Sequence, residues 1–148
     1  MSKLDLEEST IKEIQQNQFE SCPSSSKISL VCTGYAEDPV VKSTFYHLIC
    51  ITNNQGNETL VEHNKCYKEL HDFNKQLKSI YGSIRLLKTF PNKHLGKKDD
   101  QHIQARMKDL QNWLNEIVAD VETCEDPVIR SYFSLTPVSK ENRIIYTN

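Results

Sequence analysis

A chain of 148 residues, 26% charged and 37% hydrophobic with a formal net charge of −2, has the makeup of one compact soluble domain that buries a core without disulfides or a structural metal. No apolar run reaches the roughly 20 residues of a membrane-spanning helix, and with only four glycines there is no Gly-rich loop to cradle a nucleotide phosphate. Five cysteines (Cys22, Cys32, Cys50, Cys66 and Cys124), odd in number and without a Cys-x-x-Cys pair, read as reduced thiols and not as a disulfide framework.

The first residues, MSKLDLEEST, lack the basic-then-apolar pattern of a secretory signal, so an intracellular chain with at most peripheral membrane contact is expected. Residues 1–26 are polar and acidic and end in Cys-Pro-Ser-Ser-Ser. With little apolar surface to bury, they are expected to form a flexible acidic tail despite weak helical spacing at Leu4, Ile11 and Ile14. Three strands follow. Lys27 to Tyr35 alternates Ile28, Leu30 and Cys32 with Ser29, Val31 and Thr33. Ser43 to Thr52 is rich in β-branched and aromatic residues. Glu58 to Asn64 forms the third strand, after a turn at Asn53-Asn54-Gln55-Gly56-Asn57. Short connections make the sheet antiparallel.

Three helices come next. Tyr67 to Tyr81 carries Leu70, Phe73, Leu77 and Ile80 at the spacing of one helical face. After a loop from Ser83 to Lys98, a second helix starts at Asp99 or Asp100, whose carboxylates suit a helix N-terminus. Ile103, Met107, Leu110, Leu114 and Ile117 line its face, and Trp113 widens it. Asp126-Pro127 opens a short third helix packed down by Val128, Ile129, Tyr132 and Phe133. Residues 139–148 are expected to form a polar C-terminal tail. The order predicts an α+β domain over 27–138: a three-stranded antiparallel sheet against a helical subdomain of about three helices.

Charge is unevenly placed. From Lys65 to Lys108 there are eleven basic and four acidic residues, a surplus of +7 inside an acidic chain. The surplus points to an anionic partner. Lys65, Lys68, Lys97 and Lys98 beside apolar Leu95 and Phe90 suit a nonspecific interfacial membrane contact, where charge attracts and apolar tips insert. The net charge of −2 and the lack of aromatic interleaving argue against nucleic acid. His63, Cys66 and His71 are loosely spaced and lack a fourth ligand, so no zinc site is expected. No catalytic constellation and no cofactor motif stands out, and the chain reads as a non-enzyme.

Cys66-Tyr67-Lys68-Glu69-Leu70, followed by Phe73 and Leu77, then Pro91-Asn92-Lys93, then Arg106 four residues before Leu110, resembles the PX (Phox homology) domain. That family is the phosphoinositide-binding module of sorting nexins and oxidase subunits. The resemblance runs from about Lys27 to Leu135. It implies that Tyr67 packs under an inositol ring, that Lys93 meets the 1-phosphate and that Arg106 bonds ring hydroxyls. It further implies a peripheral module on endosomal or vacuolar membranes, with a protein partner in its assembly. The family's Arg-Tyr-Ser-Asp/Glu-Phe pattern has Cys66 at the arginine that pairs with the 3-phosphate, and only Pro91 remains of the proline-rich stretch. A neutral thiol cannot form the planar two-pronged bond of a guanidinium. Weak or altered phosphoinositide binding is expected, with a protein-interaction domain that has lost lipid binding as the alternative.

Overall fold

A computed structural model describes residues 3–81, 90–91 and 99–138. In chain order the elements are β1 (Lys3–Asp5), α1 (Glu8–Ser21), β2 (Ser26–Glu37), β3 (Thr44–Asn54), β4 (Asn57–Cys66), α2 (Tyr67–Tyr81), α3 (Asp100–Ala119), α4 (Val121–Cys124) and α5 (Pro127–Tyr132). The three expected strands form an antiparallel meander, β2-β3-β4, and β1 adds a short fourth strand at its edge. The β3–β4 reversal is a two-residue turn. Gln55 and Gly56 both have positive φ, 54° and 88°, the geometry whose twist matches a hairpin. The Gly56 N–H donates to Asn53 Oδ1 at 3.0 Å and holds the turn.

Residues 3–21 are not the flexible tail that composition suggests. Lys3–Asp5 pairs with Gly34–Ala36 of β2, and α1 packs on β2 and α3. Composition misses this docking because its anchor is polar. Among the described residues the edge of β2 beyond β1 has no strand neighbour; glutamines take that place. Buried Gln18 accepts from Leu30 N–H (2.7 Å) through Oε1 and donates to Leu30 C=O (2.8 Å) through Nε2. Gln111 of α3 accepts from Cys32 N–H (2.7 Å) and also donates to Leu30 C=O (3.1 Å). Asn115 Oδ1 accepts from both amides. Two side-chain amides thus imitate a strand, closing an edge that otherwise invites pairing with another chain. Gln18→Ala is expected to cost about 1–3 kcal/mol for each buried group it orphans. A urea titration with two probes, one reporting α1, checks this; an unchanged midpoint contradicts the docking role.

The core lies between the sheet and the helices. Leu70, Phe73 and Leu77 of α2, Ile103, Leu110, Trp113, Leu114 and Ile117 of α3, and Ile129 with Phe133 are all buried against Ile28, Leu30, Tyr46 and Leu48. The sequence differs from the structure at two stripe positions: Ile80 is 48% exposed and Val128 is 37% exposed. Each sits one residue from an end of its helix. β2 is buried on both faces, so its predicted alternation of buried and open residues is absent: Val31 and Ser29 are as buried as Ile28 and Leu30. The caps are as expected. The Asp99 side chain accepts from His102 N–H, and Asp126 accepts from Val128 and Ile129 N–H with Pro127 in the first turn. Tyr81 at the end of α2 donates to the Asp126 carboxylate, tying α2 to α5.

Candidate anion-binding site

β4 runs directly into α2 at Cys66, with no loop between them. Cys66 N–H donates to Glu69 Oε1 at 3.2 Å, the reach-back of a capping box, so the helix start is fixed by Glu69. This sets the direction of Tyr67, the first helical residue. Its hydroxyl donates to the Pro91 carbonyl at 2.8 Å, and its ring meets Phe90 and His71, each with centroids 5.6 Å away. Phe90 is anchored in turn, edge-on to Trp113 at 4.9 Å. Phe90 is therefore a buried post that holds Pro91 against Tyr67, and not the exposed membrane tip its neighbourhood suggests.

Arg106 reaches this spot from α3. Its Cζ lies 4.1 Å from the centroid of the Tyr67 ring, a cation–π contact. Only 8% of the residue is exposed. Among the described residues no carboxylate lies within ion-pair distance of its guanidinium. Tyr46, fully buried on the core face of β3, lies close enough to feel the Arg106 charge. Burial pushes the Tyr46 phenol upward, and the positive charge of Arg106 partly offsets this. Tyr67 shows the same balance, raised by burial and restrained by Arg106. A nearly buried cation thus lies on the Tyr67 ring, with no carboxylate partner among the described residues.

The other sequence candidates divide. Cys66 ends β4 opposite Phe45, adjoining Tyr67, and contributes no charge there. Lys65 does not face the Arg106 site. Its Nζ lies over the Tyr132 ring (4.6 Å to the centroid) and 4.0 Å from Glu69 Oε2. It pairs across the ladder with Tyr46, which puts it on the core face of the sheet. Lys68 projects into solvent and pairs with Asp72 at 3.3 Å. Lys93, Leu95, Lys97 and Lys98 lie outside the described residues. The fold brings Tyr67 and Arg106 together, as the resemblance implies. Spacing did not single out Tyr46 or the Phe90-Pro91 prop. Tyr46 alternates in register with Leu48 and Cys50, which could have marked it as inward-facing.

A family profile described as PX domain matches residues 53–136, more than half of the chain. No curated protein sequence matches. Among solved structures, the mouse SNX19 PX domain with a bound sulphate ion superposes with a TM-score of 0.53 at 20% identity, covering 75% of this chain and 99% of that one. At that identity the likeness is one of fold.

Proposed function

The chain belongs to the PX domain family, and from that premise we propose that it is a non-catalytic, peripheral membrane-targeting module of endosomal or vacuolar trafficking with weakened or altered phosphoinositide binding. PX domains typically bind phosphoinositide membranes. The observation that carries the reading is Arg106: nearly buried, laid on Tyr67 at 4.1 Å, and without a carboxylate among the described residues. A buried guanidinium without a counter-ion is costly to the fold, and a phosphate supplies both charge and paired acceptors. Lys93 is assigned the second phosphate contact on the strength of the sequence resemblance.

Cys66 explains the weakness. The missing guanidinium removes a charge-assisted bond worth about 1.5–3 kcal/mol. Co-sedimentation with vesicles carrying each phosphoinositide, at two salt concentrations, tests the assignment. Cys66→Arg is expected to tighten binding to phosphatidylinositol 3-phosphate vesicles by about tenfold to a hundredfold. If that substitution leaves affinity unchanged, Cys66 is not at the pocket. An endosomal or vacuolar address is checked by imaging a fluorescent fusion with and without Arg106.

A protein-docking reading has one observation in its favour. A groove lined by Phe73, Gln76, Pro127, Val128, Ser131 and Tyr132 opens between α2 and α5, with Val128 exposed beside it. Failure of the wild-type chain to bind any phosphoinositide vesicle favours this second reading.

A further inference from the structure

The second half of α2 carries an apolar stripe that extends beyond the core. Phe73, Gln76 and Ile80 follow one another at three and four residues, so they share one face of the helix. That face meets α5 along the groove between the two helices, a hollow of about 370 Å³. Its floor is the Phe73 and Tyr132 rings, stacked at 3.8 Å and 5°. Val128 lines it at 37% exposure, and Ile80, 48% exposed, continues the stripe of α2 past Gln76. Both walls are helices, whose backbone groups bond within their own elements. No strand edge is on offer there, so an extended segment finds no partners for its N–H and C=O groups, whereas a helix satisfies its own. The volume is at the low end of ligand pockets, about 300–1,000 Å³, and suits a few side chains inserted from a docked element.

Charge around the groove is one-sided. At the Tyr132 end the cations and anions cancel: Lys65 lies 4.0 Å from Glu69 Oε2, and Lys68 lies 3.3 Å from Asp72. The other end is acidic. From Glu116 to Asp126 there are five acidic and no basic residues. Asp126 caps α5 directly before the groove residues Pro127 and Val128, and it also accepts from Tyr81 at the end of α2. Burial first, then Asp126, Glu122 and Asp120, push the Tyr81 phenol upward, so these carboxylates gather at the Ile80 end of the stripe. Glu122 is exposed there. Lys78, two residues before Ile80, lies on the opposite side of α2, about 200° around the helix, and does not offset them.

We propose that this groove docks an amphipathic helix of a protein partner, its apolar stripe seated on Phe73, Val128 and Ile80 and a cluster of Lys or Arg set against the Asp126–Glu122 end. The proposal deepens the protein-docking reading above and does not depend on the anion seat at Arg106. A second copy of this chain is a poorer occupant, because pairing two such grooves brings two acidic ends into one interface. From Phe73 to Ile80 the stripe runs about 10 Å, so an occupant of two to three turns covers it.

The test pans the immobilised full chain with a displayed library of random peptides of about 14 residues, roughly four turns of helix. Val128→Lys, which removes apolar surface and adds the wrong charge, is panned in parallel. Its site is exposed, and circular dichroism checks that the variant is folded. Peptides enriched on the wild type and lost on Val128→Lys are expected to be net basic, with apolar residues at three- and four-residue spacing. Added to the nitrogen-labelled chain, they are expected to shift the amides of Ile80, Val128 and Ser131. Glu122→Lys should weaken them several-fold, most strongly at low salt. The proposal is overturned if nothing is enriched, if the enriched peptides are acidic or lack helical spacing, or if they bind Val128→Lys equally well. It is also overturned if sedimentation shows a wild-type dimer that Val128→Lys dissolves, which makes a second copy the occupant. Arg106→Ala should bind the peptides as the wild type does, so failure of vesicle binding and failure of peptide binding are read separately.

Discussion

Arg106→Ala is expected to lower affinity for phosphoinositide vesicles by about tenfold to over a hundredfold, the worth of one charge-assisted bond of roughly 1.5–3 kcal/mol. The same substitution should leave thermal stability unchanged or slightly raised. Arg106 is nearly buried and has no carboxylate partner among the described residues, so its charge is a burden to the empty fold. Loss of binding without loss of stability separates a ligand-holding arginine from a structural one. Arg106→Lys keeps the charge but forfeits the flat face that lies on Tyr67 and the paired donors, so it should fall between wild type and alanine. Vesicle co-sedimentation alongside a melting curve reads both quantities. A large drop in melting temperature would mean that Arg106 holds the fold together, and the anion seat would lose its main support.

Arg130→Ala should behave in the opposite way. Its five hydrogen bonds serve carbonyls of Ser26, Cys124 and Thr136 and the hydroxyls of Ser24 and Ser26. Removing the guanidinium leaves several buried acceptors without donors, each costing about 1–3 kcal/mol. A total of roughly 4 kcal/mol or more places the variant among the most damaging single changes. Arg130→Lys should rescue little, since one ammonium cannot reach acceptors on three segments at once. Urea unfolding measures the loss, and a change under about 1 kcal/mol is surface-like and contradicts the hub. The two arginines share burial and the lack of a carboxylate partner among the described residues. They differ in whether neutral groups among the described residues take up their donors, and on that difference rest the structural role expected of Arg130 and the ligand-holding role proposed for Arg106.

Local chemistry made much of this legible before the structure. The face at Leu70, Phe73 and Leu77, the Asp99 cap and the Asp126-Pro127 start each follow from side chains acting within a few residues. The same locality hides α1. Its dock depends on Gln18 finding Leu30 and Asn115, pairings of polar groups that hydropathy scores as reasons to stay in water. Arg130 was hidden for a related reason: a charged residue between Ile129 and Tyr132 reads as solvent-facing until its five acceptors are seen. At the site, Tyr67 and Arg106 were legible through the spacing of a resembled family, which fixes positions on two helices that sequence distance alone does not bring together. The direction of a side chain was not. Lys65 lies over Tyr132 and Phe90 points inward, because strand alternation and the packing of Trp113 decide them. Counting charges along the chain treated both as surface.

The most direct test of the Arg106 seat is an NMR titration of the guanidinium itself. Nitrogen-labelled full chain is titrated with a soluble headgroup, inositol 1,3-bisphosphate, while the arginine Nε–H resonances are followed. The account predicts a saturable shift at Arg106, together with the Tyr67 backbone amide, and none at Arg130. Vesicle binding that persists while the Arg106 Nε–H signal stays fixed throughout the titration would contradict it.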